Sequence, residues 1–592
     1  MFCVLGRSQD VTAWVSLAGA EAWRGLVWLS SAVMQLLSSY LLPTEREDPA
    51  DAEARSHRLM VRSGLIRQIG AGLWSWMPAG WRIHSRVCEV IRDEMEAIGG
   101  QEMLMPVLLP AEAWKRTGRY EIDELFKLED RKGAEMVLAM THEEAVTSHV
   151  AQVVRSYRDL PLILWHLQTK ERDEPRPRAG VLRTREFIMK DSYSFDCDQA
   201  GLDEAYEKHS QAYERIFDRC GLEWYRVESD VGMMGGSGAH EYMAPCAAGE
   251  NEVALAPGYA ANVEVASAQA QEVELPPIIA EPETVETPGL TTVEQVSNSL
   301  GVSSGALLKA FPVITDDRLV LVLVRGDHRV NETKLTNALG SPFRQATNEE
   351  IEEALGPVGF IGPVGSDCEI LLDEAAATGQ YIVGANLADA HLRGVEPGRD
   401  FSFKSVDVRS VEEGDLVNGH PIRIEPAIEI GNIFRLGTRY SEALDAFYLD
   451  SDGVRQPIVM GSYGIGPARI VAAAIEQLSD DSSMIWPSNI APWDAEVVVL
   501  GGEGSDELAA GLKLATELEE AGLTVVVDDR SDSPGAKFAD ADLLGVPVRL
   551  TVGKRGLASG QVEVKVPWHP EDRMIALETA VSTVAEERAS SH

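Results

Sequence analysis

Residues 171–195 read ERDEPRPRAGVLRTREFIMKDSYSF. They have the form of an Arg-x-Glu strand end, a short basic loop, and Arg-x-x-x-Phe on a returning strand. On an antiparallel sheet such a pair makes a cradle for a bent nucleoside triphosphate. Arg172 offers a planar, permanently charged fork to an α-phosphate. Glu174 can accept from an adenine amino group, and Phe187 can stack on the base. Arg183, with Arg176 and Arg178, can reach the outer phosphates and an acceptor RNA end. Alone, the same pattern is also compatible with a plain hairpin carrying a charged loop.

A second element narrows the reading. Residues 458–470, IVMGSYGIGPARI, run from an apolar strand through a glycine-rich turn into a helix. Arg469 stands where a dinucleotide fingerprint needs glycine. An arginine at a helix start facing a phosphate fits instead. Upstream, IRDEMEAIGGQEMLMPVLLP (91–110) reads as helix, Gly-Gly turn, short strand and an extended run at Pro106. In this order the three elements resemble the three signature motifs of class II aminoacyl-tRNA synthetases. No GxxxxGK[ST] loop occurs, nor do the HIGH-like and KMSKS-like signals of the other synthetase class.

Three further stretches bring the resemblance closer. Met140-Thr141-His142-Glu143-Glu144, GGSGAHEY (235–242) and EIGNIFRLGTRYS (429–441) are similar to the amino-acid-binding segments of bacterial prolyl-tRNA synthetases. The similarity runs from Met34 to the C-terminus. It implies that Thr141 and Glu143 hold the secondary ammonium of proline and that Arg172 meets its carboxylate and the α-phosphate. Arg469 would act on the γ-phosphate. Ser237, His240 and Glu241 are further pocket candidates, His240 for proline binding, although a Gly-Gly-Ser-Gly stretch is also compatible with a plain turn. Ser462 replaces a cysteine found in some members and keeps a small polar group there. Read locally, Thr141 could also cap the helix EEAVTSHVAQVV with Glu144 as capping-box partner. Implied cofactors are ATP with Mg2+, for which Glu429 is one candidate ligand. A homodimer is implied because the first motif forms the subunit interface in this class. Implied partners are tRNA(Pro) and proline, with neither DNA nor membrane.

The expected fold is α+β: an antiparallel-sheet catalytic domain, an inserted editing domain and a C-terminal α/β anticodon-binding domain. The expected boundaries are 34–250 and 421–492 for the catalytic domain, 251–420 for linker and insertion, and 493–592 for the last domain. The period of LDEAYEKHSQAYERIFDRC (202–220) predicts a core helix burying Leu202, Tyr206, Tyr213, Ile216 and Phe217. EVELPPIIAEPETVETPG (272–289) is acidic and proline-rich, the composition of a linker. Within the block that follows, the resemblance implies an editing pocket for alanyl-tRNA(Pro) at Lys309, Gly362, Asp373 and His391. Gly362 is followed there by Pro363. Such a site answers a physical need, since rejecting a substrate smaller by a methylene or two is worth only ~1–3 kcal/mol. From residue 493 strands alternate with helices, with a last helix from about residue 572. Asp529, Arg530, Lys537 and Phe538 are the candidates for contacts to unstacked anticodon bases.

A net charge of −41 in 592 residues opposes phosphate binding by the body of the molecule. RNA contact must be local, and Arg155, Arg158, Lys170, Arg172, Arg176, Arg178, Arg183, Arg185 and Lys190 form one basic run. Six cysteines without CxxC spacing suggest neither a disulfide framework nor a structural zinc site, in keeping with the cytoplasm. Residues 1–33 are apolar but carry Glu21 and Arg24. They read as a dispensable extension ahead of the family-like start, with a targeting peptide as second reading. A regulator derived from a synthetase would be expected to have lost Arg172, Glu174 or Arg469, and all three are present. A free deacylase would not need the ATP motifs.

Overall fold

The computed structural model describes residues 34–50, 52–569 and 571–590. The expectation for residues 1–33 lies outside the described residues. The chain divides into two compact units. The larger holds residues 41–492 with 538–547, and the smaller holds residues 34–40, 493–537 and 548–588.

The larger unit is built on a nine-stranded sheet. Its order is Gly238–Pro245, Tyr225–Ser229, Tyr259–Asn262, Asn251–Ala256, Arg423–Gly437, Val459–Ile465, Glu186–Asp196, Leu162–Glu171 and Gln101–Glu102. The four strands Arg423–Gly437, Val459–Ile465, Glu186–Asp196 and Leu162–Glu171 pair antiparallel in sequence. Gln101–Glu102 joins the edge in parallel. Helices Pro78–Ala97, Gln199–Arg219 and Pro467–Leu478 pack on one another and on this sheet. Gln199–Arg219 begins at Asp198, whose carboxylate accepts from Gly201 N–H. It buries the five residues its period predicts, each contributing about 2 kcal/mol of apolar transfer. In the first-motif turn, a Cβ on Gly100 would lie 2.8 Å from Met95 O and 2.9 Å from the Trp165 ring. Only glycine lets the helix and the sheet edge approach so closely.

The catalytic sheet keeps the hairpin Asn251–Ala256 and Tyr259–Asn262, which pairs with Arg423–Gly437. The insertion therefore departs after residue 262, not at 251. Its neck is sealed by Ala254, Ala261, Ala266, Val411 and Ile422. The inserted block carries a five-stranded sheet around Leu308–Thr315 and Arg318–Arg325, and a three-stranded sheet of Glu283–Glu286, Ala390–Val395 and Tyr381–Gly384. The expected linker thus ends in a strand: Thr284 and Val285 pair with Leu392 and His391. Its prolines, Pro276, Pro277, Pro282 and Pro288, all lie outside that strand, leaving the ladder N–H groups intact.

The smaller unit is a six-stranded sheet with order Gln35–Leu36, Val525–Asp528, Ala495–Val499, Val548–Val552, Gln561–Lys565 and Arg573–Ala576. Helices Asp506–Glu520 and Ala580–Ser590 supply Leu514, Leu518, Ala580 and Val584 to its valine-rich core. Two expectations change here. Residues 34–40 belong with this sheet and not with the catalytic one, because Gln35 and Leu36 pair in parallel with Val526 and Val527. The last helix starts at Ala580, and the segment before it is an edge strand.

Candidate active site

The strands Leu162–Glu171 and Glu186–Asp196 run in register from Leu162–Phe195 to Glu171–Glu186. The basic loop leaves their end. Arg172 N–H donates to Arg185 O at 2.8 Å, which closes the base of the loop. Val459–Ile465 pairs on the other side of Glu186–Asp196 and delivers Gly466 and Pro467 to the start of the next helix, with Arg469 in its first turn. A cavity of about 410 Å³ opens over these strands.

Arg172, Glu174, Arg183, Phe187 and Arg469 line it together with Thr141, Glu143 and Ser462. The Arg172 guanidinium lies 5.2 Å over the Phe187 ring. Burial, and then the charge of Arg469, lower its proton affinity. An anion between the two arginines would relieve both effects. Glu174 Oε2 pairs with Arg183 Nε at 2.8 Å, and Oε1 accepts from Arg176 N–H. Two of roughly four acceptor positions on this carboxylate are thereby used. Arg469 Nη1 donates to Glu429 O at 2.9 Å and Oε2 at 3.0 Å, and Nε donates to Leu182 O at 3.2 Å.

The other end of the cavity is a buried charge network. Ser462 Oγ donates to Glu143 Oε1 at 2.8 Å. Arg119, 1% exposed, donates to Thr141 Oγ1 at 2.8 Å, Glu143 Oε2 at 3.2 Å and Glu144 Oε2 at 3.1 Å. Burial alone would lower its proton affinity, but the two carboxylates hold it charged. Arg119 was not among the sequence candidates. The signal that could have found it is the need for a cation beside two adjacent buried glutamates. The capping alternative for Thr141 is not realised: His142 occupies the N-cap position of helix Glu143–Val153, without a side-chain cap.

His240 is not in this cavity. Its Nδ1 meets Tyr206 Oη at 2.7 Å, on the side of helix Gln199–Arg219. Alternation along the strand turns its neighbour Glu241 the other way, toward cavity-lining Asn432, whose Nδ2 lies 3.4 Å from Glu241 Oε1. Asn432 also reaches Glu429 Oε1 at 3.5 Å. Burial and the Glu429 charge push the Glu241 carboxyl up to about 8. A divalent cation suits such a donor set.

The basic run is also redistributed. Lys170 and Lys190 are fully buried. Lys190 Nζ donates to Tyr213 Oη and Tyr463 O. Neither lysine can meet RNA.

In the inserted block, Gly362 and His391 are neighbours through Gly384. Gly384 pairs with His391, and a Cβ on Gly362 would lie 1.9 Å from Gly384 O. His391 Nδ1 meets Thr287 Oγ1 at 2.7 Å, and its ring sits edge-on to Phe360. Asn386, at φ 56°, accepts from Gly362 N–H and donates to Gly362 O and Val364 O. This clamp was missed by the sequence reading. Lys309 is half-buried, with Nζ 3.5 Å from Gly326 O. Burial, then Arg329, lower its proton affinity. Asp373 departs from its expected role: it accepts from Ala375, Val408 and Arg409 N–H groups and ties strands together.

In the smaller unit, Lys537 is 2% exposed and donates to Val499 O and Asp528 O, so it braces the sheet and cannot read a base. Asp529 accepts from Ser38 N and Oγ. Arg530 forks onto Asp528. Phe538, which falls with residues 538–547 in the larger unit, is partly exposed.

The antiparallel sheet, its hairpin arginine and the helix-start arginine define a class II aminoacyl-tRNA synthetase. The class II core domain of the G, H, P, S and T synthetases matches residues 126–478, and an anticodon binding domain matches residues 495–587. The proline–tRNA ligase of Thermodesulfovibrio yellowstonii is 45% identical over 92% of this chain and 98% of its own. That of Bacillus subtilis is 46% identical over 91% and 97%. The chain belongs to the proline–tRNA ligase family. The fold is shared with a prolyl-tRNA synthetase from Cryptosporidium parvum solved with L-proline and AMP: TM-score 0.55 and 13% identity, over 90% of this chain and 75% of that one. Among the described residues, no helix is long and apolar enough to cross a membrane.

Proposed function

We propose that this enzyme activates proline with ATP, transfers it to tRNA(Pro), and hydrolyses alanyl-tRNA(Pro) in its inserted block. The observation that carries the synthetic reading is one cavity lined by both arginines and by Thr141, Glu143 and Ser462. The proline carboxylate attacks the α-phosphate, pyrophosphate leaves, and the 3′-terminal adenosine hydroxyl then attacks the adenylate carbonyl, releasing AMP. Arg172 bridges the carboxylate and the α-phosphate. Charge that develops there falls in a site already desolvated, where a fixed cation stabilises it most. Arg469 meets the outer phosphates. Phe187 stacks on adenine, and Glu174 accepts from its amino group. Thr141 and Glu143 hold the secondary ammonium. Glu429, with Glu241 beside it, would hold the magnesium that accompanies ATP, which neutralises phosphate charge.

Hydrolysis of alanyl-tRNA(Pro) rests on the close approach of Gly362 to Gly384, the strand partner of His391, and on a half-buried Lys309 in the same block. A homodimer is in keeping with exposed apolar residues along the first motif, such as Leu104 at 73% exposure. We place the enzyme in the cytoplasm, where tRNA is charged. ATP–pyrophosphate exchange with each amino acid in turn tests the synthetic reading, and exchange with an amino acid other than proline as the best substrate would overturn it. Deacylation of pre-charged tRNA tests the second. Lys309→Ala should slow alanyl-tRNA(Pro) hydrolysis and His391→Ala should admit prolyl-tRNA, with proline-dependent exchange changed by no more than a few-fold. Wild-type hydrolysis and selectivity in both variants would remove the editing assignment.

A further inference from the structure

Beside the cavity, with Asp191 among its lining residues, lies a cluster that the reaction described above does not use. His142, His166 and Asp191 are buried, and one ligand atom from each lies within 4.8 Å of the others. That is the spacing of a cation site, and a lysine already fills it. Lys170, wholly buried, places Nζ 2.5 Å from His142 Nδ1, 3.1 Å from His166 Nε2 and 2.8 Å from Asp191 Oδ2. An ammonium has three donors and no acceptor, and here it has three acceptors. Both imidazoles therefore present an unprotonated nitrogen to it. The tautomer this imposes on His142 puts its proton on Nε2, which lies 2.9 Å from Pro106 O. The backbone agrees: His142 N–H donates to Tyr193 Oη at 3.0 Å, and Tyr193 Oη donates to Asp191 Oδ2 at 2.5 Å. His142 is thus held at Nδ1, at Nε2 and at its backbone, and two of these three holds lead back to Lys170. Its chain neighbours are Thr141 and Glu143, both lining the amino-acid end of the cavity.

We propose that Lys170 is a positioning residue for proline: an internal cation that fixes His142 and, through it, the loop presenting Thr141 and Glu143. This rests on those two residues holding the ammonium. Arg172 lies two residues along the same chain, so the lysine also links the loop to the strand carrying the phosphate clamp.

Removing Lys170 alone would leave a buried carboxylate unpaired and could prevent folding. The informative variant is therefore Lys170→Met with Asp191→Asn, compared with Asp191→Asn alone and with His142→Ala. Pyrophosphate exchange is measured against proline and ATP separately. The expected result is a proline KM raised at least ~10-fold in the double variant and in His142→Ala, with ATP KM within about threefold of wild type. Asp191→Asn alone should raise proline KM less than the double variant does. Equal proline KM in the double variant and Asp191→Asn would overturn the proposal, since the lysine would then only neutralise a carboxylate. Parallel rises in proline and ATP KM would overturn it too. If the double variant does not fold, His142→Ala decides: an unchanged proline KM rejects the loop-fixing role. If Thr141→Ala also leaves proline KM unchanged, the fault lies with the assignment of the ammonium site and not with Lys170.

Discussion

Arg172 Nε is buried and unpaired among the described residues. A desolvated guanidinium edge beside a second arginine is costly unless an anion arrives, which makes this residue sensitive to geometry as well as charge. Arg172→Ala should abolish proline-dependent pyrophosphate exchange. Arg172→Lys keeps the charge but not the planar fork, and should lose at least ~10-fold, about 1.4 kcal/mol in the transition state. Near wild-type exchange by the alanine variant would remove Arg172 from the reaction. Asp196 supplies a test of stability. Burial, reinforced by Asp198 and Glu204, raises its carboxyl from the ordinary 3.8 to about 6, and its Oδ2 has no partner among the described residues. The folded state then binds more protons than the unfolded one between those values, so stability falls as pH rises through that window. Asp196→Asn should be neutral in acid and should gain on the order of 1–3 kcal/mol above pH ~6. Unfolding midpoints of both proteins at pH ~4 and ~7 check it, and a pH-independent difference would refute it. Arg172, Glu174 and Arg469 were legible because their spacing is local. Arg119 was not, because its partners lie 22 to 25 residues away. That His240 lies outside the cavity was not legible, because a strand's alternation says which residues share a face but not which face meets the ligand.

Among the elements, the hairpin turn between Glu171 and Phe187 was legible, since a loop rich in arginine and proline joins two strand-like runs; the full reach of its strands, Leu162–Glu171 and Glu186–Asp196, was not. The strand Glu283–Glu286 was hidden by its flanking prolines and glutamates, since four residues pairing with a distant strand leave no periodic trace. The segment 381–395 holds its neighbouring loop through one turn residue. Asn386 takes positive φ and makes three hydrogen bonds to residues 362–364. Asn386→Ala should strain the turn and free the Gly362 loop. We expect at least ~10-fold slower alanyl-tRNA(Pro) hydrolysis with proline-dependent exchange unchanged. Asn386→Gly relieves the backbone but not the lost bonds, and should be equally poor at hydrolysis. Recovery in the glycine variant would mean that backbone conformation, not the clamp, matters.

Over the whole molecule, a charge of −41 leaves few places for RNA. With Lys170 and Lys190 buried, seven arginines of the basic run remain, and Arg178 and Arg183 already pair with Glu250 and Glu174. Binding of an acceptor-stem minihelix should therefore show a slope in log K against log salt no steeper than about −6. Affinities measured from ~50 to ~300 mM salt test this, and a steeper slope would require cations outside the run.

The two-residue strand Gln35–Leu36 closes an open edge of the C-terminal sheet, and Ser38 bonds to Asp529 across 491 positions of chain. On a ribosome adding ~5–20 residues per second, its partner strand is made roughly 25–100 s after it. The first described segment of the protein must wait until Val525–Asp528 has been made. Completion of that edge is thus a test that Val525–Asp528 has been made: a chain cut short of it leaves Gln35–Leu36 without its partner strand.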